Sequence, residues 1–119
     1  MFNLNNHQNY YLYAKSCDMR KGAGGLSGLV RNALVKDPLS GDAFIFINKR
    51  RNRMKLLIWD RTGFVVWYKL LERGTFQIPT PKKGANSLPI SWSELMLIVE
   101  GIRLESVERR KRFNYKKTG

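Results

Sequence analysis

The stretch AFIFINKRRNRMKLLIWDRTGFVVWYK, Ala43 to Lys69, decides the fold. It holds three runs rich in β-branched and aromatic residues: Ala43–Ile47, Met54–Trp59 and Phe64–Lys69. Such runs prefer the extended backbone, where bulky side chains fit a pleated surface. A polar connection, Asn48–Asn52, separates the first two. A turn, Asp60-Arg61-Thr62-Gly63, separates the last two, with Gly63 expected to supply a positive φ. Short polar links between strands imply an antiparallel meander. Apolar residues fall on both faces of these strands, so both faces are expected to be partly covered.

Working outward, Tyr10-Tyr11-Leu12-Tyr13 reads as an edge strand. Leu26, Leu29, Val30, Ala33 and Leu34 recur at helical spacing, so a helix is expected from about Leu26 to Lys36. Asp37-Pro38 ends it, because a residue before proline disfavours helical geometry. Beyond the meander, Thr75–Ile78 is a candidate fourth strand, and Pro79, Pro81, Gly84 and Pro89 mark a loop. Ser91 and Glu94 have the spacing of a capping box. Leu95, Ile98, Val99 and Ile102 then form one apolar stripe. The class expected is α+β, an antiparallel sheet of about three to five strands packed against two helices. Residues 1–9 read as a loose leader, 10–103 as a single domain and 104–119 as a basic tail.

Charge narrows the partners. Of 119 residues, 22 are Lys or Arg and nine are Asp or Glu, a net charge of +13. Such an excess favours polyanions and is hard to reconcile with a neutral small-molecule ligand. Cys17 is the only cysteine, which excludes an intrachain disulfide and suits a reducing compartment. No run of 18 apolar residues exists, and Met1–Gln8 lacks the apolar core of a signal peptide, so no membrane association is expected.

Asp18-Met19-Arg20-Lys21-Gly22, Asp37-Pro38 with Ser40-Gly41, Lys55 to Asp60, Leu71-Glu72-Arg73-Gly74 and Glu100-Gly101-Ile102, in that order, resemble the accessory protein of the insertion-sequence sixty-six family. This is the TnpB or second-reading-frame type, distinct from the RNA-guided nuclease of the same name. Asp18-Met19-Arg20-Lys21-Gly22 with Gly25-Leu26 is similar to its "DMRKG..GL" segment. Asp37-Pro38 with Ser40-Gly41 is similar to its "DPxSG" turn, and Phe44 with Phe46 to its "FxF" strand. Lys55, Leu57, Trp59 and Asp60 match "KxLxWD". Gly63-Phe64, Tyr68-Lys69, Leu71-Glu72-Arg73-Gly74, Phe76 and Pro79 follow "GF…YKRLERGRF", and Glu100-Gly101-Ile102 resembles "LEGI". Leu70 and Thr75 stand where relatives commonly carry arginine, so any DNA contacts those arginines make are missing here. The resemblance implies a non-catalytic factor supporting transposition beside a separately encoded DDE-type transposase, in the bacterial cytoplasm and near the nucleoid. It assigns no catalytic residue.

Three basic constellations are candidates for nucleic acid. The first is the hairpin Lys49, Arg50, Arg51, Arg53 and Lys55 with Arg61, to which Lys69 and Arg73 are added. A basic ribbon can follow a phosphate backbone or enter a groove. The alternative is a solvated hairpin tip, and the density of cations with little acid to offset them favours the nucleic-acid reading. The second is the tail, with Arg109, Arg110, Lys111, Arg112, Lys116 and Lys117 interleaved with Phe113 and Tyr115, which can stack on bases. The third is Asp18, Arg20 and Lys21 with their glycines. Here the plainer expectation is tight turns and an Asp18–Arg20 pair, since no phosphate-loop spacing follows. Trp59, Trp67 and Trp92 read as core residues.

An enzyme reading lacks parts. His7 is the single histidine and lies in the leader, and Cys17 has no base near it in sequence. No zinc set and no cofactor motif is present. The function expected is a transposition accessory that binds DNA. A protein adaptor docking the transposase is the alternative, through the apolar strands and the Pro79–Pro89 loop. RNA binding is a third.

Overall fold

In the computed structural model, which describes residue 5 and residues 7–101, seven elements follow one another. They are β1 (Tyr10–Tyr13), α1 (Ala23–Asn32), β2 (Ala43–Ile47), β3 (Arg53–Asp60), β4 (Gly63–Leu70), β5 (Ser87–Ile90) and α2 (Trp92–Val99). The strands form one sheet in the order β4-β3-β2-β1-β5. The fold is α+β, and the expected meander is β2-β3-β4, with Phe44 opposite Leu57 and Lys55 opposite Tyr68.

One pairing departs from the antiparallel expectation. β1 runs parallel to β2, so the sheet is mixed. The cause is α1, which lies between them in sequence and returns the chain to the starting end, as a crossover between parallel neighbours must. β1 is consequently an interior strand, not an edge, with β5 antiparallel on its other side. Tyr10 and Leu12 are buried on one face while Tyr11 and Tyr13 are half-buried on the other. The true edge at that end is β5, inside the segment read as a loop. Pro89 is tolerated there because an edge strand has one side free of ladder bonds.

Each face of the sheet carries one helix. α2 sets Leu95 and Ile98 against Met54, Leu56, Ile58, Ile45 and Tyr10. α1 sets Leu26, Val30 and the following Leu34 against Phe44, Phe46 and Leu57. The period of two in β3 therefore sends Met54, Leu56 and Ile58 one way and Arg53, Lys55, Leu57 and Trp59 the other.

Helix boundaries differ from the sequence expectation by a turn at each end. α1 begins at Ala23 and ends at Asn32, because packing of Ala23, Leu26 and Val30 outweighs the low helix propensity of Gly24 and Gly25. It stops before Lys36 because Val35 takes a left-handed φ of 55°. That turn keeps Leu34 buried and leaves Val35 81% exposed. α2 starts as expected. The Ser91 hydroxyl accepts from the Glu94 N–H at 3.0 Å, and the Glu94 carboxylate accepts from the Ser91 N–H at 3.0 Å. A cap of this kind contributes about 1 kcal/mol. Gly101, at φ 74°, closes the helix with its N–H on the Ile98 carbonyl at 2.9 Å. Ile102, the last residue of the expected stripe, lies outside the described residues.

Residues 75–78 are not a strand. They cross the α2 face as irregular chain with Phe76 fully buried in the core. In the β3–β4 turn the positive φ falls on Arg61 (49°), not on Gly63. Trp67 packs in the core as expected, Trp59 is half-buried edge-on to Phe64 at 5.0 Å, and Trp92 is exposed. The leader is tied where it is described: the Asn5 N–H meets the Tyr10 hydroxyl at 2.9 Å, and the Gln8 amide donates to the Gly41 carbonyl at 3.2 Å.

Candidate nucleic-acid interface

α1 packs against β3 and the Phe64–Val66 part of β4 and shares one core with Phe44 and Phe46 of β2, but it leaves open the end of the sheet where Arg53 and Lys55 face Leu70 and Tyr68 across the β3–β4 pair. On this uncovered part Tyr68 is 46% exposed and Leu70 41%. Two loops rise beside it.

The first is the β2–β3 connection. Its shape is set by Asn48. The Asn48 side-chain oxygen accepts from the N–H groups of Asn52 (3.0 Å) and Arg53 (2.9 Å), while its amide donates to the Asn52 side chain at 2.8 Å. The Arg51 N–H closes the turn on the Asn48 carbonyl at 3.0 Å, with Arg51 itself at φ 58°. Phe76 then donates its N–H to the Arg51 carbonyl at 2.6 Å, and Leu71 donates to Asn52 at 2.8 Å. A loop of exposed cations is thus built on satisfied backbone groups, which fixes where Lys49, Arg50 and Arg53 stand.

The second is residues 17–21. The Cys17 N–H donates to the Ile47 carbonyl at 2.9 Å, anchoring the loop to the end of β2. The Asp18 carboxylate accepts from the Arg20 backbone at 2.9 Å and its guanidinium at 2.7 Å, as the sequence suggested. Those bonds from Arg20 hold the Asp18 carboxyl down at about 2. A depressed carboxylate favours the folded arrangement above the usual carboxylate range and loses that preference only as pH falls through about 2. At neutral pH Asp18 is therefore ionised and already matched. Burial pushes the Cys17 thiol up. The Lys55 ammonium donates to the Lys21 carbonyl at 2.9 Å, joining this loop to β3. Gly25 permits the close pass, since a Cβ there would lie 3.2 Å from the Lys21 side chain.

Between the loops lies an open groove of about 720 Å³. Five cations line it: Arg20, Lys49, Arg50, Arg53 and Lys55, from three separate segments. Among the described residues the lining has one acid, Asp18, and an apolar floor of Met19, Val66 and Tyr68. Lys55 stands 5.9 Å from the Tyr68 ring centroid. At such a surface one local sign of charge meets a solvent-accessible trough, the arrangement that concentrates phosphate.

The remaining sequence candidates are placed elsewhere. Arg51 turns away to a smaller hollow of about 220 Å³ beside Lys15 and Ile78. Arg61 stands at the far end of β3 from Arg53, roughly 20 Å along the strand. Lys69 donates to the Val99 carbonyl at 2.8 Å, so its charge meets the C-terminal end of α2. Glu72, Arg73 and Gly74 form an exposed turn after β4, with Gly74 at φ 75°. Arg109, Arg110, Lys111, Arg112, Lys116 and Lys117 lie outside the described residues. Sequence reasoning missed the roles of Asn48 and Tyr68. The sign of the second was available, because Tyr68 shares the parity of Val66 and Phe64 but lies beyond the reach of α1. Among the described residues, no group of three His, Cys, Asp or Glu side chains could hold a metal ion, and no helix is long and apolar enough to cross a membrane.

The family model of the IS66 Orf2 like protein matches residues 8–109. Protein y4jC of Sinorhizobium fredii is 41% identical over 93 residues, covering 78% of each chain. Protein y4hO of the same organism is 33% identical over 85 residues, covering 71% of this chain and 72% of its own. No solved structure matches the chain.

Proposed function

The chain belongs to the IS66 Orf2-like family of insertion-sequence accessory proteins, and from that premise we propose that it serves transposition by binding DNA through the groove between residues 17–21 and the β2–β3 loop. The observation that carries this is convergence. Cations from the 17–21 loop, the β2–β3 loop and β3 surround one trough whose only acid among the described residues is already paired with Arg20. Lys and Arg act there as phosphate partners, Arg by its two-pronged guanidinium and Lys as a point charge. No catalytic step is assigned to them. The protein acts in the bacterial cytoplasm, where the element's DNA lies.

Neutralising phosphates releases condensed counterions, at a slope of about −0.9 in log K against log salt per duplex phosphate. With the groove cations engaged, the expected slope is about −3 or steeper. A fluorescence-anisotropy titration of the full chain across salt concentrations measures it, and a flat response contradicts the proposal.

A second reading, an adaptor for the transposase, is favoured by Val35 and Leu39, 81% and 51% exposed on the α1–β2 connection. Co-purification with the transposase that survives nuclease and high salt would favour the adaptor.

A further inference from the structure

We infer that the occupant of the groove is unpaired DNA, with a base stacked on Tyr68. This rests on the DNA-binding reading above and specifies its substrate. Phosphate recognition alone needs only cations on a surface. This groove has in addition an apolar floor, Met19, Val66 and Tyr68, beneath its cationic rim. In a double helix the base faces are stacked on one another and hidden, and only their edges and the backbone are presented. An apolar floor gains nothing from a duplex backbone. An unpaired base offers a flat apolar face that such a floor can bury, and stacking on aromatic rings is how sequence-tolerant single-strand binders hold their ligand.

The position of Tyr68 fits this role. β4 is paired with β3 over its whole length, so the ring is mounted on a rigid strand and loses little freedom on binding. Nearly half of the residue is exposed although the core beneath is closed. Arg53 and Lys55, on the facing strand, lie on the same side of the sheet, with the Lys55 ammonium over the ring at 5.9 Å from its centroid, where it and an incoming base share the ring's exposed face. Cations next to a stacked base are where its own phosphates must run. The groove, open to solvent and about 720 Å³ in volume, has room for a base or two.

The test compares single-stranded and duplex DNA of the same sequence, about 12 nucleotides long, with the full chain and three variants: Tyr68→Phe, Tyr68→Ala and Tyr68→Leu. The single strand is expected to bind about tenfold or more tightly than the duplex. Tyr68→Phe retains that affinity, while Tyr68→Ala lowers it about tenfold. Tyr68→Leu keeps apolar bulk without the ring, so an equal loss there attributes the effect to stacking even if the alanine variant unfolds. Duplex binding as tight as single-strand binding overturns the inference. So does unchanged single-strand binding in Tyr68→Leu. If charge reversal at Arg50 and Arg53 still abolishes binding in that case, the DNA-binding reading survives alone; if it does not, both fall.

Discussion

Reversing three charges together, Lys49→Glu, Arg50→Glu and Arg53→Glu, lowers affinity for DNA at least about 100-fold near 0.1 M salt and flattens the salt slope by about 2 to 3. All three side chains are exposed, and none supplies a core contact, so the fold is retained. The loop backbone is held by Asn48 and by the N–H groups of Phe76 and Leu71, which the substitutions leave in place. A control separates a local surface from net charge: Arg61→Glu, Lys82→Glu and Lys83→Glu together change the total charge equally. At 0.1 M salt the screening length is about 10 Å; Arg61 stands at the opposite end of β3 from the groove, and Lys82 and Lys83 are exposed before β5 and outside the groove lining. The control therefore weakens binding only several-fold. Equal losses in the two triple variants would make the protein a diffuse polycation without a defined interface.

Phe76→Ala is expected to remove about 3–5 kcal/mol of stability, read as a lower midpoint in urea or thermal unfolding. Phe76 is fully buried beneath the sheet on the α2 side, although its own segment contributes no strand. Truncation leaves a cavity that irregular chain on one side and sheet on the other cannot both collapse into. Against a typical total of about 5–15 kcal/mol, the loss approaches unfolding. It also reaches the groove, because the Phe76 N–H holds the Arg51 carbonyl. Phe76→Leu keeps most of the volume and costs about 1–2 kcal/mol. A loss below about 1 kcal/mol in the alanine variant would show that the 75–78 segment is not a core element.

What sequence could and could not reveal follows from the range of the forces. The β2-β3-β4 meander and the Ser91–Glu94 capping box depend on neighbours within a few residues, and both were legible. The placing of β1 between β2 and β5 depends on a parallel pairing about 30 residues apart in sequence, Tyr10 with Ala43. No local pattern encodes that choice. Phe76 read as strand because an aromatic among β-formers scores so, yet its segment is held by one buried ring instead of a ladder. The cations of the β2–β3 loop were visible, but their meeting with Asp18–Lys21 needs the Cys17–Ile47 and Lys55–Lys21 hydrogen bonds, which join residues 30 or more apart. Lys69 shows the reverse case. Counted with the DNA-facing cations from sequence, it is tied to the end of α2 because strand parity sends it to the other face.

Backbone amide chemical shifts, followed while a DNA oligonucleotide is titrated into the labelled full chain, test the central claim most directly. The account predicts that perturbations concentrate at Asp18–Lys21, Asn48–Lys55 and Val66–Tyr68. It predicts little change around Arg61 and at Val35–Leu39. Shifts centred on Val35–Leu39, or spread evenly over the basic residues with the groove no more affected than the rest, would contradict it.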